Sequence, residues 1–254
     1  MRYGVPMSDA SEGLKIDVWE RTKGAGGQPV QAMNRRLFMQ LLGYECTDGL
    51  DPAKAIQALG GALDDYRASA VIYADVNNPR GLGLLSWSED PADFVTRVRP
   101  SLSHPTLRNL RGLPGLTMIG RTYSTGYEPD LEEWLIKRPK DTVRNGAWPW
   151  AVWYPLRRSG NFELLEDREK GGILREHAEI GKAYGQQDLA HDVRLACHGL
   201  DQDDNEFVIG LIGEALHPLS HVVQAMRKTR QTAQYISQMG PFFVGHRAWV
   251  SVTP

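Results

Sequence analysis

The residues that could carry chemistry begin with a histidine on an apolar helical stripe. The run from 173 to 184 places four side chains at i, i+4, i+7 and i+11, namely Ile173, His177, Ile180 and Tyr184. Such positions share one face of an α-helix, and charged residues fill most of the remaining circumference. His177 is therefore predicted to point away from water, where its ring nitrogens need partners. Two interpretations stay open: a core histidine bonded to a carbonyl or carboxylate, or a metal ligand.

A second pair of histidines, His217 and His221, is four residues apart, as in zinc sites built on helices. Pro218 makes His217 a helix cap rather than a helical position, and no third ligand has metal-site spacing. We therefore interpret both side chains as capping or solvated. The chain also contains neither a phosphate-binding glycine loop nor a G-x-S-x-G nucleophile motif.

Length and composition are those of an ordinary globular chain. Its 254 residues are 41% hydrophobic and 24% charged, and the formal net charge of -2 gives no reason to expect a nucleic-acid partner. No apolar run approaches the ~20 residues of a membrane-spanning helix, and the N-terminus has no signal pattern, so we expect a cytoplasmic protein. Cys46 and Cys197 lie far apart in sequence and outside any C-x-x-C motif, which indicates two free thiols.

The elements that must position these residues fall into two similar halves. A polar, glycine-rich stretch at 1–33 is interpreted as a flexible N-terminal arm. Helices are predicted to begin at Asp51-Pro52 and Asp90-Pro91. Strands are predicted at 36–42, 70–76, 82–87 and 116–123. The order β-α-β-β-α-β is that of a ferredoxin-like unit, which we assign, together with a connector that holds a short helix at 132–136, to residues 34–146.

The second half repeats this order. Strands are predicted at 148–154, 190–198, 207–212 and 242–249, and helices at 163–185 and 217–238. We assign a second ferredoxin-like unit to residues 147–254. The predicted fold class is α+β: two tandem ferredoxin-like (βαββαβ) units with antiparallel sheets and outer helices, of the dimeric α+β barrel type. His177 would then face a cavity between the second sheet and its helices.

Several short motifs in the second half resemble those of the chlorite dismutase family, which includes coproheme decarboxylases and haem peroxidase-like proteins. They are YPLRRSG at 154–160, EHAEIGKAY at 176–184, GLD at 199–201, MR at 226–227 and GPFFVG at 240–245. Together they cover residues 154–245, and the doubled layout extends the similarity to about residue 35. The resemblance implies a haem-dependent oxidoreductase that binds haem b or coproheme in its C-terminal half, with peroxide or chlorite as oxidant. It also implies a homo-oligomer, often a pentamer.

The resemblance implies roles for individual residues as well. His177 falls on the proximal ligand of the haem iron, and Tyr154 on the tyrosine that decarboxylases use as a radical-carrying group. Arg227 falls on an arginine near a propionate, and Thr232 where some members place a propionate-binding hydroxyl. Arg158 shares the strand face of Tyr154 by period-2 counting, where decarboxylases carry a lysine. The alternatives are ordinary surface charge for the arginines and a core aromatic for Tyr154.

Spacing gives two positions for the residue opposite His177, which separates decarboxylases from chlorite-cleaving members. Counting back from the GLD motif gives Asp192, and counting forward from His177 gives Ala190. Asp192 and Arg194 share a face of the predicted strand, so both would face the haem. A cation there stabilises negative charge that develops on a bound oxidant, whereas a carboxylate repels anions. We favour Arg194 as the distal group; its alternative is a salt bridge to Asp192 or Glu206.

Among the reactions of the family, we expect peroxide-driven decarboxylation of coproheme to haem b. Chlorite decomposition or peroxidase activity is the alternative, favoured if Arg194 is distal. A non-catalytic haem carrier or sensor is a third hypothesis, because ligation of the iron alone requires no catalysis. A cofactor-free protein in which His177 is merely packed is the fourth.

Overall fold

A computed structural model describes residues 15–24 and 29–253 of the chain. The strands are β1 (Glu20–Lys23), β2 (Pro29–Met33), β3 (Phe38–Cys46), β4 (Ala70–Asp75), β5 (Gly81–Ser88), β6 (Leu110–Arg121), β7 (Trp150–Arg158), β8 (His191–Ala196), β9 (Phe207–Gly213), β10 (Ile236–Met239) and β11 (Phe243–Val250). The α-helices are α1 (Pro52–Asp65), α2 (Arg99–Ser101), α3 (Arg138–Arg144), α4 (Asp167–Gln186) and α5 (Leu216–Met226). Single π-helical turns lie at Phe94–Val98, Glu133–Lys137 and Gln231–Tyr235.

Eight strands form one closed antiparallel ring. Starting from β7, successive neighbours are β11, β4, β5, β3, β6, β8 and β9, and β9 pairs with β7 again. The first half contributes the order β4-β5-β3-β6 and the second the order β11-β7-β9-β8, which are two ferredoxin-like sheets. The halves join where β11 pairs with β4 and where β6 meets β8 through the pair Arg121 and Ala196. The predicted fold class is therefore confirmed.

The interior of the barrel is filled by one face of each strand. Trp153 of β7, Tyr73 of β4 and Phe243 of β11 are almost completely buried there. Along β7 the neighbours of Trp153 turn outward, so that Val152, Tyr154 and Leu156 join a second cluster under the helices of the second half. This period of two follows from the pleat of a strand. Chemistry carried by even-numbered residues of β7 must therefore take place outside the barrel.

Helices cover the outer face of each half. In the first, Asp51 caps α1 by accepting a hydrogen bond from the Lys54 amide at 3.0 Å, with Pro52 at the first position as predicted. Leu59 and Leu63 of α1 are buried against the outward residues of β4 and β5. In the second half α4 and α5 take the corresponding places.

The predicted helix at 217–238 is wrong in its second part. Helix α5 ends at Met226, and the chain then forms a π-helical turn and the strand β10, which pairs with the end of β7. The Thr229 hydroxyl and the Thr229 backbone amide both donate to the Met226 carbonyl, at 2.8 Å and 3.0 Å, which closes the end of the helix with local hydrogen bonds. His217 is also misplaced by the prediction, because it lies inside α5, whose N-cap is Ala215.

The predicted N-terminal arm contains an antiparallel pair of strands, β1 and β2. Residues 1–14 and 25–28 of that arm lie outside the described residues. The division of the chain at 33/34 and 146/147 stays a prediction. In the part of the chain that the structure describes, no helix has the length and apolarity needed to cross a bilayer.

We predict opposite effects on stability for two glycine substitutions, one at the packed barrel interior and one on the exposed side of α1. A Cβ on Gly83 would collide with the ring of Phe243, whereas a Cβ on Gly61 of α1 would meet no atom within 4 Å. Gly83→Ala should lower the free energy of unfolding by roughly 1–3 kcal/mol because the packed ring cannot move away freely. Gly61→Ala should raise it by about 0.5–1 kcal/mol through helix propensity. Urea unfolding of both variants checks this, and an unchanged midpoint for Gly83→Ala would contradict the packing described.

Candidate active site

Helix α4 carries the histidine stripe against the outer face of the second half. Ile173 is buried, and Ile180 and Tyr184 pack against the buried cluster that β7, β9 and α5 form together. Ile173 is nevertheless the one buried residue among the 20 of this helix. The stripe therefore faces the sheet, as its spacing predicts, while most of α4 stays open to solvent.

His177 is partly buried, and its Nδ1 atom is inaccessible to solvent and hydrogen-bonds to no atom of the described residues. Burial lowers the pKa of the His177 imidazole, and the positive charge of Arg194 lowers it further, against smaller opposing effects of Asp192 and Glu176. The ring is therefore held neutral, the form in which imidazole binds metals. Among the described residues, no three or more histidine, cysteine, aspartate or glutamate side chains are grouped as a metal site.

Tyr154 lies on the outer face of β7 and is 6% exposed. Its ring stacks on Phe242, with ring centres 4.6 Å apart and planes inclined by 25°. Burial raises the pKa of the Tyr154 phenol and Asp192 adds to this rise, whereas Arg227 opposes it. The phenol therefore keeps its proton at neutral pH. The Asp192 carboxylate and the Arg227 guanidinium both lie close enough to act on it electrostatically.

Asp192 and Arg194 share the outer face of β8, while Val193 between them belongs to the barrel interior. The Nε atom of Arg194 lies 3.0 Å from Asp192 Oδ2, and Arg138 Nη2 lies 2.9 Å from Asp192 Oδ1. Burial raises the pKa of Asp192, but Arg194 and Arg138 outweigh this effect and leave it below its ordinary value. The salt bridge between Arg194 and Asp192, which the sequence analysis gave as the alternative to a distal role, is thus present. Arg194 nevertheless stays close enough to act electrostatically on His177.

A small cavity of about 20 Å³ lies beside this ion network, which is space for roughly one water molecule. Its wall includes Tyr123, Trp134, Arg138, Asp192 and Arg194. The Arg138 guanidinium lies over the Trp134 ring, 4.2 Å from its centre, which fixes the outer end of the network. Charged and aromatic side chains therefore line the cavity together.

Arg158 lies on the side of Tyr154, but its guanidinium is already paired. Its Nε donates to Glu206 Oε2 at 3.0 Å, its backbone amide donates to the same carboxylate, and its guanidinium lies over the rings of Phe162 and Phe207. Burial raises the pKa of Glu206, and its contacts with Arg158 more than reverse this and lower it. Arg157 faces the other way and donates to the Asp204 carbonyl at 2.9 Å.

Arg227 and Thr232 lie beyond the end of α5. Arg227 is exposed, and within the described part of the chain its side chain makes neither an ion pair nor a hydrogen bond. The partly buried Thr232 hydroxyl lies 3.3 Å from that of Thr229. Arg227 is therefore available to bind an anion, and its charge already reaches Tyr154.

Two residues of the site lay outside the sequence-based expectation. Phe242 stacks on Tyr154 and lies in the GPFFVG motif. The motif therefore marked this position, but it did not indicate the contact with Tyr154. Arg138 comes from the connector between the halves and lies 54 positions before Asp192. No spacing rule links such positions, because the closure of the barrel brings them together.

The sequence model of the family described as Chlorite dismutase matches residues 120–248, which is half of the chain. The chain belongs to the chlorite dismutase family. The match includes every residue that the motifs singled out, from Tyr154 to Thr232. No curated protein sequence matches the chain.

Solved structures show the same fold. A haem-binding protein from Thermus thermophilus is 20% identical with a TM-score of 0.67, covering 85% of this chain and 92% of that one. An arginine-to-lysine variant of the chlorite dismutase from Candidatus Nitrospira defluvii is 13% identical with a TM-score of 0.64, and the match covers 85% of this chain and 93% of that one. The same enzyme in complex with imidazole is 13% identical with a TM-score of 0.63, covering 84% and 91%.

The pairing of Arg158 predicts that this residue stabilises the protein even without a ligand. Arg158→Gln leaves a mostly buried Glu206 carboxylate without its partner and should lower the free energy of unfolding by about 1–3 kcal/mol at pH 7. Arg157→Gln removes a hydrogen bond near the surface and should change it by less than about 1 kcal/mol. Urea unfolding of the ligand-free variants measures both values, and equal effects would contradict the pairing.

The same pair predicts a dependence on pH. The folded pKa of Glu206 lies below the ordinary value of 4.5, so its contribution is present above about pH 4.5 and is lost as the pH falls through the folded pKa. The difference between the wild type and Arg158→Gln should therefore shrink between pH 5 and pH 3. A constant difference over this range would mean that the stabilisation comes from packing on the aromatic rings alone.

Proposed function

We propose that this protein is a haem-dependent oxidoreductase in which His177 ligates the iron. The observation that carries the proposal is the buried Nδ1 of His177, which has no hydrogen-bond partner among the described residues, on a ring whose pKa burial lowers. A core histidine would be bonded to a carbonyl or carboxylate, and the described residues offer Nδ1 neither. A haem-binding relative of the same fold supports the choice of an iron porphyrin.

The residues present fit an iron porphyrin in two respects. The His177 imidazole is a nitrogen donor that would hold the iron, and the ring nitrogen that does not bind iron would still need a partner. The unpaired guanidinium of Arg227 suits a propionate carboxylate, with the Thr232 hydroxyl as a further donor. Arg158 is a weaker candidate for this role, because its guanidinium is already paired with the Glu206 carboxylate.

The reaction we favour is peroxide-driven decarboxylation of coproheme. Each propionic acid group and one hydrogen peroxide would give a vinyl group, one carbon dioxide and two waters. The bound iron supplies the centre at which the peroxide is reduced. Tyr154 would pass the oxidation to a propionate, since it is buried, keeps its proton and feels the charge of Arg227.

Decomposition of chlorite or peroxidase activity is the second candidate. Arg194 lies on the outer face of β8 within electrostatic reach of His177, as a distal cation would. Such a cation would stabilise negative charge on the oxygen of a bound oxidant. A carrier or sensor that binds haem without turnover is the third candidate. The homo-oligomer and the cytoplasmic location remain predictions.

Haem binding is tested by titrating the protein with haem and recording the Soret band. The wild type should show the band at one equivalent, and His177→Ala should lose it because the variant lacks the proposed iron ligand. His104→Ala, in an exposed turn of the first half, is the matched control and should bind like the wild type. An undiminished band in His177→Ala would show that His177 is not the ligand.

The choice of reaction is tested with iron coproporphyrin III and hydrogen peroxide, followed by chromatography of the porphyrins. The wild type should produce haem b, and Tyr154→Phe should bind the porphyrin while losing at least about 100-fold in rate. Tyr44→Phe, which alters a partly buried tyrosine of the first half, should keep the rate. A wild type that binds the porphyrin and forms no vinyl product would exclude this reaction.

The second candidate makes a separate prediction. If chlorite is the substrate, the haem-loaded protein should release dioxygen from it, measured with an oxygen electrode. Arg194→Ala should then lower kcat/KM by about 100-fold or more. Oxygen release that is unchanged in this variant would remove Arg194 from the chemistry, and pigment unchanged by both oxidants would favour the carrier.

A further inference from the structure

Asp192 is the carboxylate on which the charges of the candidate site converge. Its two oxygens lie 2.9 Å from Arg138 Nη2 and 3.0 Å from Arg194 Nε. Its charge also acts on the phenol of Tyr154 and on the imidazole of His177. One acidic side chain therefore contacts Arg194 of β8 and acts electrostatically on Tyr154 of β7 and His177 of α4.

The position of the two oxygens gives Asp192 a geometric role. An arginine two positions along a strand can adopt many rotamers, and a carboxylate contact on Nε removes most of them. Arg138 holds the other oxygen, and Trp134 beneath Arg138 holds that guanidinium in turn. The chain of contacts from Trp134 to Arg194 thus fixes the direction in which Arg194 presents its remaining donors.

The same contacts set the charge of this face. Asp192, Arg138 and Arg194 carry one negative and two positive charges, and Glu128, which lines the same cavity and acts on Arg194, brings the sum to 0. Without Asp192 the sum would be +1, and without Arg138 it would be -1. The affinity for a negatively charged ligand depends on this net charge, whereas the affinity for a neutral ligand such as hydrogen peroxide does not.

We propose that Asp192, held between Arg138 and Arg194, is the positioning and specificity residue of this site and biases it toward neutral over anionic ligands. The proposal rests on haem binding at His177. Arg194 alone would make the site attractive to anions such as chlorite. Asp192 offsets that positive charge and keeps Arg194 oriented. Arg138 contacts the other oxygen of Asp192, and its own positive charge reduces the negative charge that Asp192 contributes to the site.

The test measures ligand affinity rather than turnover. Ferric haem-loaded protein is titrated at pH 8 with azide, which is an anion, and with imidazole, which is mostly neutral, and the Soret shift is recorded. Asp192→Asn should bind azide about tenfold more tightly, and Arg138→Gln about threefold more weakly, as expected for a single charge at short range in a partly screened site. Imidazole affinity should change less than about twofold in both.

Asp203→Asn is the matched control, because it removes one negative charge from an exposed turn away from the ion network. It should leave both affinities unchanged. Unchanged azide affinity in Asp192→Asn, or equal tightening of azide and imidazole, overturns the proposal, since the second result would mean a wider pocket instead of a changed charge. Should Asp192→Asn fail to fold, an azide affinity in Arg138→Gln equal to that of the wild type overturns it. A failure of haem binding itself is visible separately, as a missing Soret band in the wild type.

Discussion

In a closed antiparallel barrel, each strand turns one face to the interior and the other outward, and its register is held on both edges. Trp153 of β7 and Val193 of β8 lie in the filled interior, so the residues beside them must face α4. Tyr154, Asp192 and Arg194 meet on the outer face for this reason. A shift of either strand by one residue would bury the charges in the apolar interior and bring apolar side chains under the helix, which makes the observed register strongly preferred.

The charged side chains that β7 and β8 present on this outer face are paired with opposite charges. Arg158 is paired with Glu206, and Asp192 is shared by two arginines, so these partly buried charges avoid the full desolvation cost. Among the described residues, the groups without a partner here are Nδ1 of His177, the side chain of Arg227, and the buried Gln231 Oε1 in the turn after α5. Polar groups left without partners in an otherwise satisfied region are the ones for which a ligand would compensate. The difference between satisfied and unsatisfied groups therefore separates residues that stabilise the fold from those proposed to bind the cofactor.

The spacing of residues along the sequence predicted much of the architecture, because the repeats of helices and strands and the helix caps involve residues only a few positions apart. The stripe on α4, the cap at Asp51 and the alternation along β7 and β8 each depend on residues within a few positions of one another. The end of α5 was missed because Thr229 terminates the helix through a side-chain bond that periodicity does not encode. The Arg138–Asp192 contact was missed for another reason: it depends on how the two halves close into one ring. The partner of Arg158 could not be foreseen either, since Glu206 lies 48 positions away on another strand.

The first half of the chain shapes a site whose named residues nearly all come from the second. Strand β6 meets β8 at Arg121 and Ala196, and a Cβ on Gly120 would lie only 2.7 Å from Leu195 Cβ. The backbone of β8 is therefore positioned closely by a glycine of the first half, next to the strand segment that bears Asp192 and Arg194. The connector then adds Arg138, which holds Asp192 from the far side. The family match begins at residue 120 and so includes both contributions. A ferredoxin-like unit formed by the second half alone would keep His177, Tyr154 and the contact between Asp192 and Arg194. It would lose Arg138, which holds the other oxygen of Asp192, and the close packing of β8 on Gly120. The candidate site therefore depends on both halves of the closed barrel.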